Sequence, residues 1–175
     1  MNETLRYIIG YLVGALVFFV LIPVGFFELS KLDYLNGFII LINSTILKAI
    51  AAFLFFSTGM FFVIWSNIFL FTLGKGGPAD GFGVSISPQT KKLVTRGPYR
   101  YSRNPMVFGA LSTYLSLAVY LNSFFGLLAV VILFFAAGFY LKYSEEKRLV
   151  RDFGSAYLDY RKKVPMIFPY KRSKK

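Results

Sequence analysis

The chain has 175 residues, of which 56% are hydrophobic and 16% charged, and twenty Lys and Arg against eight Asp and Glu give a formal charge of +12. It contains no Cys and no His, which excludes disulfides, a thiol nucleophile, a Ser-His triad, and Cys- or His-ligated zinc, haem or iron–sulfur centres. Soluble domains average about 25% charged residues; the deficit here, with apolar residues in long runs, points to a membrane protein.

Leu5 to Phe27 is almost unbroken apolar sequence, long enough for a hydrocarbon core that takes about 20 residues. With one basic residue near its start and no small-residue cleavage site after it, the run reads as a first spanning helix rather than a signal peptide. A kink is expected at Pro23, and Gly10 and Gly14 give a small-xxx-small face for a neighbouring helix. Glu28 to Asn36 is a polar connection. The apolar region Gly37–Leu73 exceeds one simple span, so the second spanning helix is placed at about Ile46–Leu73, with Lys48 snorkelling at one end and Gly37–Thr45 as an interfacial lead-in. Met106–Leu121 and Phe124–Tyr140, parted by Asn122 and Ser123, form a helical hairpin of two slightly short spans, completed by tilt or by flanking residues. Leu149, Phe153, Tyr157 and Tyr160 then share one face of an amphipathic surface helix, interrupted at Gly154 and ending near Val164-Pro165.

The fold class that follows is all-α: a polytopic helical membrane protein with about four transmembrane helices and a cytoplasmic amphipathic C-terminal helix. It is one domain, divided into residues 1–73 (the first two spans), 74–104 (a cytoplasmic loop) and 105–175 (the hairpin and C-terminal helix). Charge orients it. Gly74–Arg103 carries six basic residues and one acid, and Lys142–Lys175 carries eleven against four, whereas Glu28–Asn36 has one Lys against two acids. The positive-inside rule puts both basic segments, and both termini, in the cytoplasm, where they meet anionic headgroups. No nucleic-acid partner is expected, because the aromatics lie in the spans rather than between the basic residues. The oligomeric state is not legible.

Gly74-Lys75-Gly76-Gly77-Pro78-Ala79 superficially matches a dinucleotide fingerprint, but it follows a spanning helix rather than a strand and reads as a flexible connection. The second half of the loop carries more. Gly97-Pro98 is a turn signal, and Pro105 suits the first turn of the third span. Arg100 and Arg103 therefore sit beside a helix N-terminus, whose free N–H groups favour an anion; the competing reading is headgroup anchoring. Just after the fourth span come Glu145 and Glu146, where a solvated ion pair such as Glu145 with Arg148 competes with a site. If both segments share one pocket, they grip the two ends of a zwitterionic ligand. No metal site is expected.

The series Leu93-Val94-x-x-Gly97-Pro98-Tyr99-Arg100-Tyr101-x-Arg103-Asn104-Pro105-Met106, an apolar hairpin, Glu145-Glu146-x-x-Leu149, and Phe153-Gly154-x-x-Tyr157-x-x-Tyr160 followed by Val164-Pro165 resembles the isoprenylcysteine carboxyl methyltransferase and phospholipid methyltransferase superfamily. The resemblance covers about Leu93 to Pro169. It implies an integral membrane methyltransferase that uses S-adenosylmethionine in a pocket on the cytoplasmic side of a helical bundle and acts on a lipid or prenylated acceptor. By resemblance, the cofactor-binding residues are Lys91, Lys92, Leu93, Val94, Gly97, Tyr99, Arg103, Asn104, Pro105, Met106, Val107, Glu145 and Glu146, and substrate contacts fall to Arg100 and Lys142, with no general acid or base. Where the family has Arg-His-Pro-x-Tyr this chain has Arg103-Asn104-Pro105-Met106-Val107, so Asn104 stands in as a hydrogen-bonding group that cannot take up a proton near neutral pH. The leading expectation is O-methylation of an isoprenylcysteine-type carboxylate. Phospholipid N-methylation, an NADPH-dependent sterol-reductase-like activity and a non-catalytic protein of the same fold are the alternatives.

Overall fold

The computed structural model describes residues 2–38, 42–76, 80–81, 84–85 and 90–170. Part of the expected lead-in (39–41), the Gly77-Pro78-Ala79 end of the glycine-rich stretch and the last five residues of the basic tail lie outside the described residues.

The first helical element runs further than its apolar stretch. Asn2 caps α1 (Glu3–Leu16) by accepting from the Thr4 N–H at 3.3 Å, a π-turn covers Val17–Leu21, and α2 runs Ile22–Leu35. This wider π-turn ends one residue short of Pro23, where the kink is expected. The extra residue in the turn accommodates the ring and the missing N–H. The expected connection Glu28–Asn36 is helical up to Leu35, held by a Lys31–Glu28 pair at 2.7 Å and ended by Asn36 and Gly37, the latter at φ 65°. Polarity there marks where the apolar face stops, not where the backbone hydrogen bonds do.

Ser44 caps α3 (Thr45–Phe69), which passes into a π-turn at Leu70–Gly74 and stops at Lys75 in the left-handed region, φ 52°. α4 (Pro105–Tyr120) and α5 (Phe124–Tyr140) form the expected hairpin, and the chain then continues through a third π-turn, Leu141–Glu145, into α6 (Glu146–Lys163). A two-residue antiparallel pair, Asp80–Gly81 with Val84–Ser85, is too short to alter the class. Thr4–Leu35, Thr45–Gly74 and Phe124–Lys163 are long and apolar enough to cross a membrane. α4 has 16 residues, about 24 Å at 1.5 Å per residue. Phe53, Phe135 and Phe139 are each about two-thirds exposed, as side chains facing hydrocarbon are.

Two contacts fix the bundle. α3 and α4 cross with Gly59 against Gly109, so close that a Cβ on either would lie 2.7 Å from the other's carbonyl oxygen; small residues let backbones approach this way in lipid. Gly10 and Gly14, the glycine face read from the sequence, are not at this crossing. On the opposite side Phe26 of α2 packs with Tyr114 and Ala118 of α4. At one end of the bundle the buried Asp33 accepts from the Ser123 hydroxyl and, at 3.1 Å, from the Phe125 N–H, so the polar tip of α2 caps α5.

α6 bends at Gly154, whose φ of 53° and ψ of −131° lie outside the helical region. Beyond Val164 an extended segment lies along residues 101–104. Arg103 and Asn104 donate their N–H groups to the Pro165 and Met166 carbonyls at 2.9 and 3.0 Å, and Tyr170 donates to the Tyr101 carbonyl at 3.1 Å. The Ser102 hydroxyl donates to the Ile167 carbonyl at 2.7 Å, and Phe168 sets its ring against Phe108 and Phe134.

Candidate functional site

Where the π-turns after α3 and α5 meet the start of α4, a cleft of about 220 Å³ opens. Five segments build it: Leu70, the strip of Thr90, Leu93 and Val94, Tyr99 with residues 103–107, the stretch of Ala137, Tyr140, Leu141 and Glu145, and one face of α6. The short helix Gly97–Arg100 turns the chain into α4. Gly97 is required there, because at φ 59° its missing Cβ would lie 2.5 Å from the Phe69 ring.

Apart from Gly97, which shapes this turn without lining the cleft, the residues anticipated from the sequence divide into three groups. Leu93, Val94, Tyr99, Arg103, Asn104, Pro105, Met106, Val107 and Glu145 all line the cleft. Glu146 lies behind it and is buried: it accepts from the Arg103 guanidinium and, at 3.4 Å, from Arg161. Lys91, Lys92, Arg100 and Lys142 are exposed and do not line the cleft; Lys142 stacks its ammonium 5.4 Å from the Tyr143 ring. The two substrate contacts anticipated at Arg100 and Lys142 are therefore not part of this cavity: the π-turn Leu141–Glu145 sets Leu141 and Glu145 in its wall and leaves Lys142 exposed, as Arg100 is.

Arg103 is held on all sides. Besides Glu146, its guanidinium donates to the Tyr157 hydroxyl at 3.2 Å and, through Nε, to the Val164 carbonyl at 3.0 Å. The loop before α4 is thereby fastened to α6 by a partly neutralised, hydrogen-bonded charge. Asn104 is engaged as well: its side-chain amide donates to the Met166 carbonyl at 3.1 Å. That interaction ties the cleft wall to the C-terminal segment.

Residues the sequence reading did not assign to a site complete the walls. Leu149, Phe153, Tyr157 and Tyr160, read there as the apolar face of a surface helix, turn that face into the cleft; their spacing was the available signal. Leu70, Ala137 and Tyr140 sit inside apolar runs and carry no such signal. Arg148 lines the cleft beside Glu145, to which it is ion-paired, with side chains only 14% and 20% exposed.

The phenols share this environment. Burial, with the negative charge of Glu145 beside it, pushes Tyr99 above the ordinary tyrosine range. Burial does the same to Tyr160, whose hydroxyl donates to the Tyr99 carbonyl at 2.6 Å. Tyr157 is raised by burial and partly relieved by the hydrogen bond from Arg103. All three are neutral hydrogen-bonding groups at physiological pH. Among the described residues no cluster of His, Cys, Asp and Glu could hold a metal ion.

The arrangement is a small cleft at the ends of apolar helices, with one carboxylate, two guanidiniums and several phenols set in aliphatic walls. No curated protein and no solved structure matches the chain. The model of the family described as phospholipid methyltransferase matches residues 47–156, a stretch that begins in α3 and ends in α6 and so contains most of the cleft. The chain belongs to the phospholipid methyltransferase family and is a membrane methyltransferase.

Proposed function

We propose that the chain binds S-adenosylmethionine in this cleft and methylates a lipid-borne carboxylate, as an isoprenylcysteine-type O-methyltransferase does. Methyltransferases of the family generally use this cofactor, which supplies an electrophilic methyl on a sulfonium. The residues present suit it. The Glu145 carboxylate accepts an ammonium, the phenols and backbone groups around Tyr99 serve ribose and adenine, and the Tyr99 ring favours a sulfonium by cation–π attraction. At about 220 Å³ the enclosed part is smaller than the roughly 300–1,000 Å³ of sites that surround a whole drug-sized ligand, so part of the cofactor extends beyond it.

The observation that carries the choice of acceptor is the state of Glu145. It is the one carboxylate lining the cleft among the described residues, and a positive charge occupies it throughout, Arg148 here and the cofactor's ammonium once bound. An amine acceptor must lose a proton before attack, whereas a carboxylate is already ionised and would take the methyl, as the methyl–sulfur bond breaks to leave a neutral thioether, with no proton to move. What the chain supplies is proximity, alignment and a cleft walled by Leu, Val, Ala and Tyr, and alignment alone is worth roughly 7–11 kcal/mol. The second reading, N-methylation of a phospholipid headgroup, is favoured by the family's own description.

Membranes holding the full chain, given methyl-labelled S-adenosylmethionine with a farnesylcysteine analogue or phosphatidylethanolamine, separate the two. A methyl ester releases volatile methanol in base, whereas an N-methyl group stays on a non-volatile headgroup even where base cleaves the acyl esters. Base-labile label supports the carboxylate reading, base-stable lipid label replaces it with the second, and no transfer to either acceptor overturns both.

We also propose that the cleft and both termini face the cytoplasm, supported by the seventeen of twenty basic residues in the loop and tail. In a chain without native Cys, a Cys placed at exposed Tyr34 or Asn36 is expected to react with an impermeant thiol reagent on intact cells, and one at Ser144 or Ser155 to be protected. Labelling at Ser144 from outside inverts the topology.

A further inference from the structure

Ion pairs three residues apart on a helix occur several times in this chain, and one of them differs from the rest. Lys31–Glu28 and Lys162–Asp159 have side chains 52–59% and 65–75% exposed, whereas Arg148–Glu145 has 14% and 20%. Solvated pairs of this kind contribute little and cost little. An enclosed pair has given up hydration on both partners, which its mutual attraction alone repays poorly. Both members of this pair also line the cleft, next to Leu149 and Tyr140. The neighbouring pair, Arg103–Glu146, is satisfied within the protein by Tyr157, Arg161 and the Val164 carbonyl. Arg148 also reaches Asp152 at 3.9 Å, but Asp152 does not line the cleft, so Arg148 and Glu145 are the charges of opposite sign that the cleft wall presents together.

We infer that Arg148 and Glu145 form a two-charge receptor for an α-amino-acid zwitterion, in which Arg148 takes the carboxylate and Glu145 the ammonium. This rests on the proposed use of S-adenosylmethionine, whose methionine end is such a zwitterion. The receptor's own ion pair opens, and each partner exchanges one opposite charge for another. The wall's own two charges are paired before and after binding, and the sulfonium is the one charge the ligand adds beyond this exchange. A planar guanidinium matches a carboxylate with two parallel N–H donors. Arg148 is then the residue that distinguishes an amino-acid-bearing cofactor from the same sulfonium without its carboxylate.

The test is calorimetric binding to the detergent-purified full chain, using S-adenosylmethionine and its decarboxylated form, which keeps the sulfonium, the amine and the adenosine. The unaltered protein is expected to prefer the carboxylate-bearing ligand by about ten-fold or more. Arg148→Met is expected to bind both ligands alike, with its loss confined to S-adenosylmethionine, and Arg148→Lys to keep part of the preference. Equal affinities in the unaltered protein overturn the inference whether or not the variants fold, and so does an undiminished preference in Arg148→Met. If the unaltered protein binds neither ligand, the proposed cofactor fails and the receptor with it; binding of both without preference leaves the cofactor standing and removes only Arg148's role.

Discussion

Arg103, in the loop before α4, donates to Glu146, at the start of α6, and both side chains are only 10% exposed. The pair joins two segments far apart in sequence and stands directly behind the cleft. Glu146→Gln leaves a guanidinium desolvated beside a neutral amide, with exposed Arg161 as its other near charge. The expected cost is about 3–5 kcal/mol, the range for breaking a buried pair from one side. Glu28→Gln, whose partner Lys31 is half exposed, is expected to cost about 0–1 kcal/mol. Denaturant unfolding in detergent compares the two, and equal losses would show that Glu146 is no latch.

A methyl group at the α3–α4 crossing has nowhere to go. Gly59→Ala puts a Cβ 2.7 Å from both the Gly109 carbonyl oxygen and the Thr113 backbone nitrogen, and backbone cannot swing aside as a side chain can. The helices must separate, at about 1–3 kcal/mol. Gly25, in α2, has nothing within 4 Å of the same position, so Gly25→Ala is expected to be neutral or to stabilise by up to about 1 kcal/mol. Thermal unfolding midpoints of the two variants should move in opposite directions or differ clearly.

Tyr99, Tyr157 and Tyr160 all titrate above the ordinary tyrosine range because burial disfavours their phenolates. A raised folded-state pKa means that the folded protein keeps its protons where the unfolded chain has lost them. The contribution is complete below the unfolded value of about 10 and declines as pH rises past it. The unfolding midpoint is therefore expected to fall as pH rises above about 10, and Tyr99→Phe to flatten that fall. A slope unchanged by Tyr99→Phe would show that Tyr99 titrates normally.

Asn104 holds the C-terminal segment through its amide, so the sign of its polarity matters. Asn104→Asp keeps the shape but turns an oxygen towards the Met166 carbonyl that now receives an N–H at 3.1 Å. Losing that donor and opposing two acceptors is expected to cost about 1–3 kcal/mol. The check is faster proteolysis near residues 166–170 in the variant; unchanged cleavage would free Asn104 from this role.

Helix positions were legible because hydrophobicity along the chain is a one-dimensional signal, and membrane helices write it in long runs. Their ends were less so. Glu28 to Leu35 is polar, but nothing in it breaks backbone hydrogen bonds until Asn36 and Gly37, so composition and conformation part company there. In the site, the Leu93–Val107 motif was legible as a family resemblance, while its turns and prolines by themselves marked only the Gly97-Pro98 turn and the start of α4 at Pro105. Arg148 was not legible, since an i,i+3 pair has the same spacing whether water or a cleft surrounds it. Leu70, Ala137 and Tyr140 share their runs with lipid-facing neighbours, and only the packing of α3, α4 and α5 separates wall from lipid face. The segment after Val164 has no periodicity, because its hydrogen bonds go to one short loop.

That last segment sets the order in which the protein is made. Residues 101–104 emerge from the ribosome some sixty positions before Pro165, Met166 and Ile167, their hydrogen-bonding partners. Arg103 likewise waits for Glu146, Tyr157 and Val164. The Gly59–Gly109 crossing and the Asp33–Ser123 cap need nothing beyond the start of α5 and can close while synthesis continues. The apolar bundle is therefore assembled first and the cleft last, so a nascent chain is inserted in the membrane well before it can bind anything there.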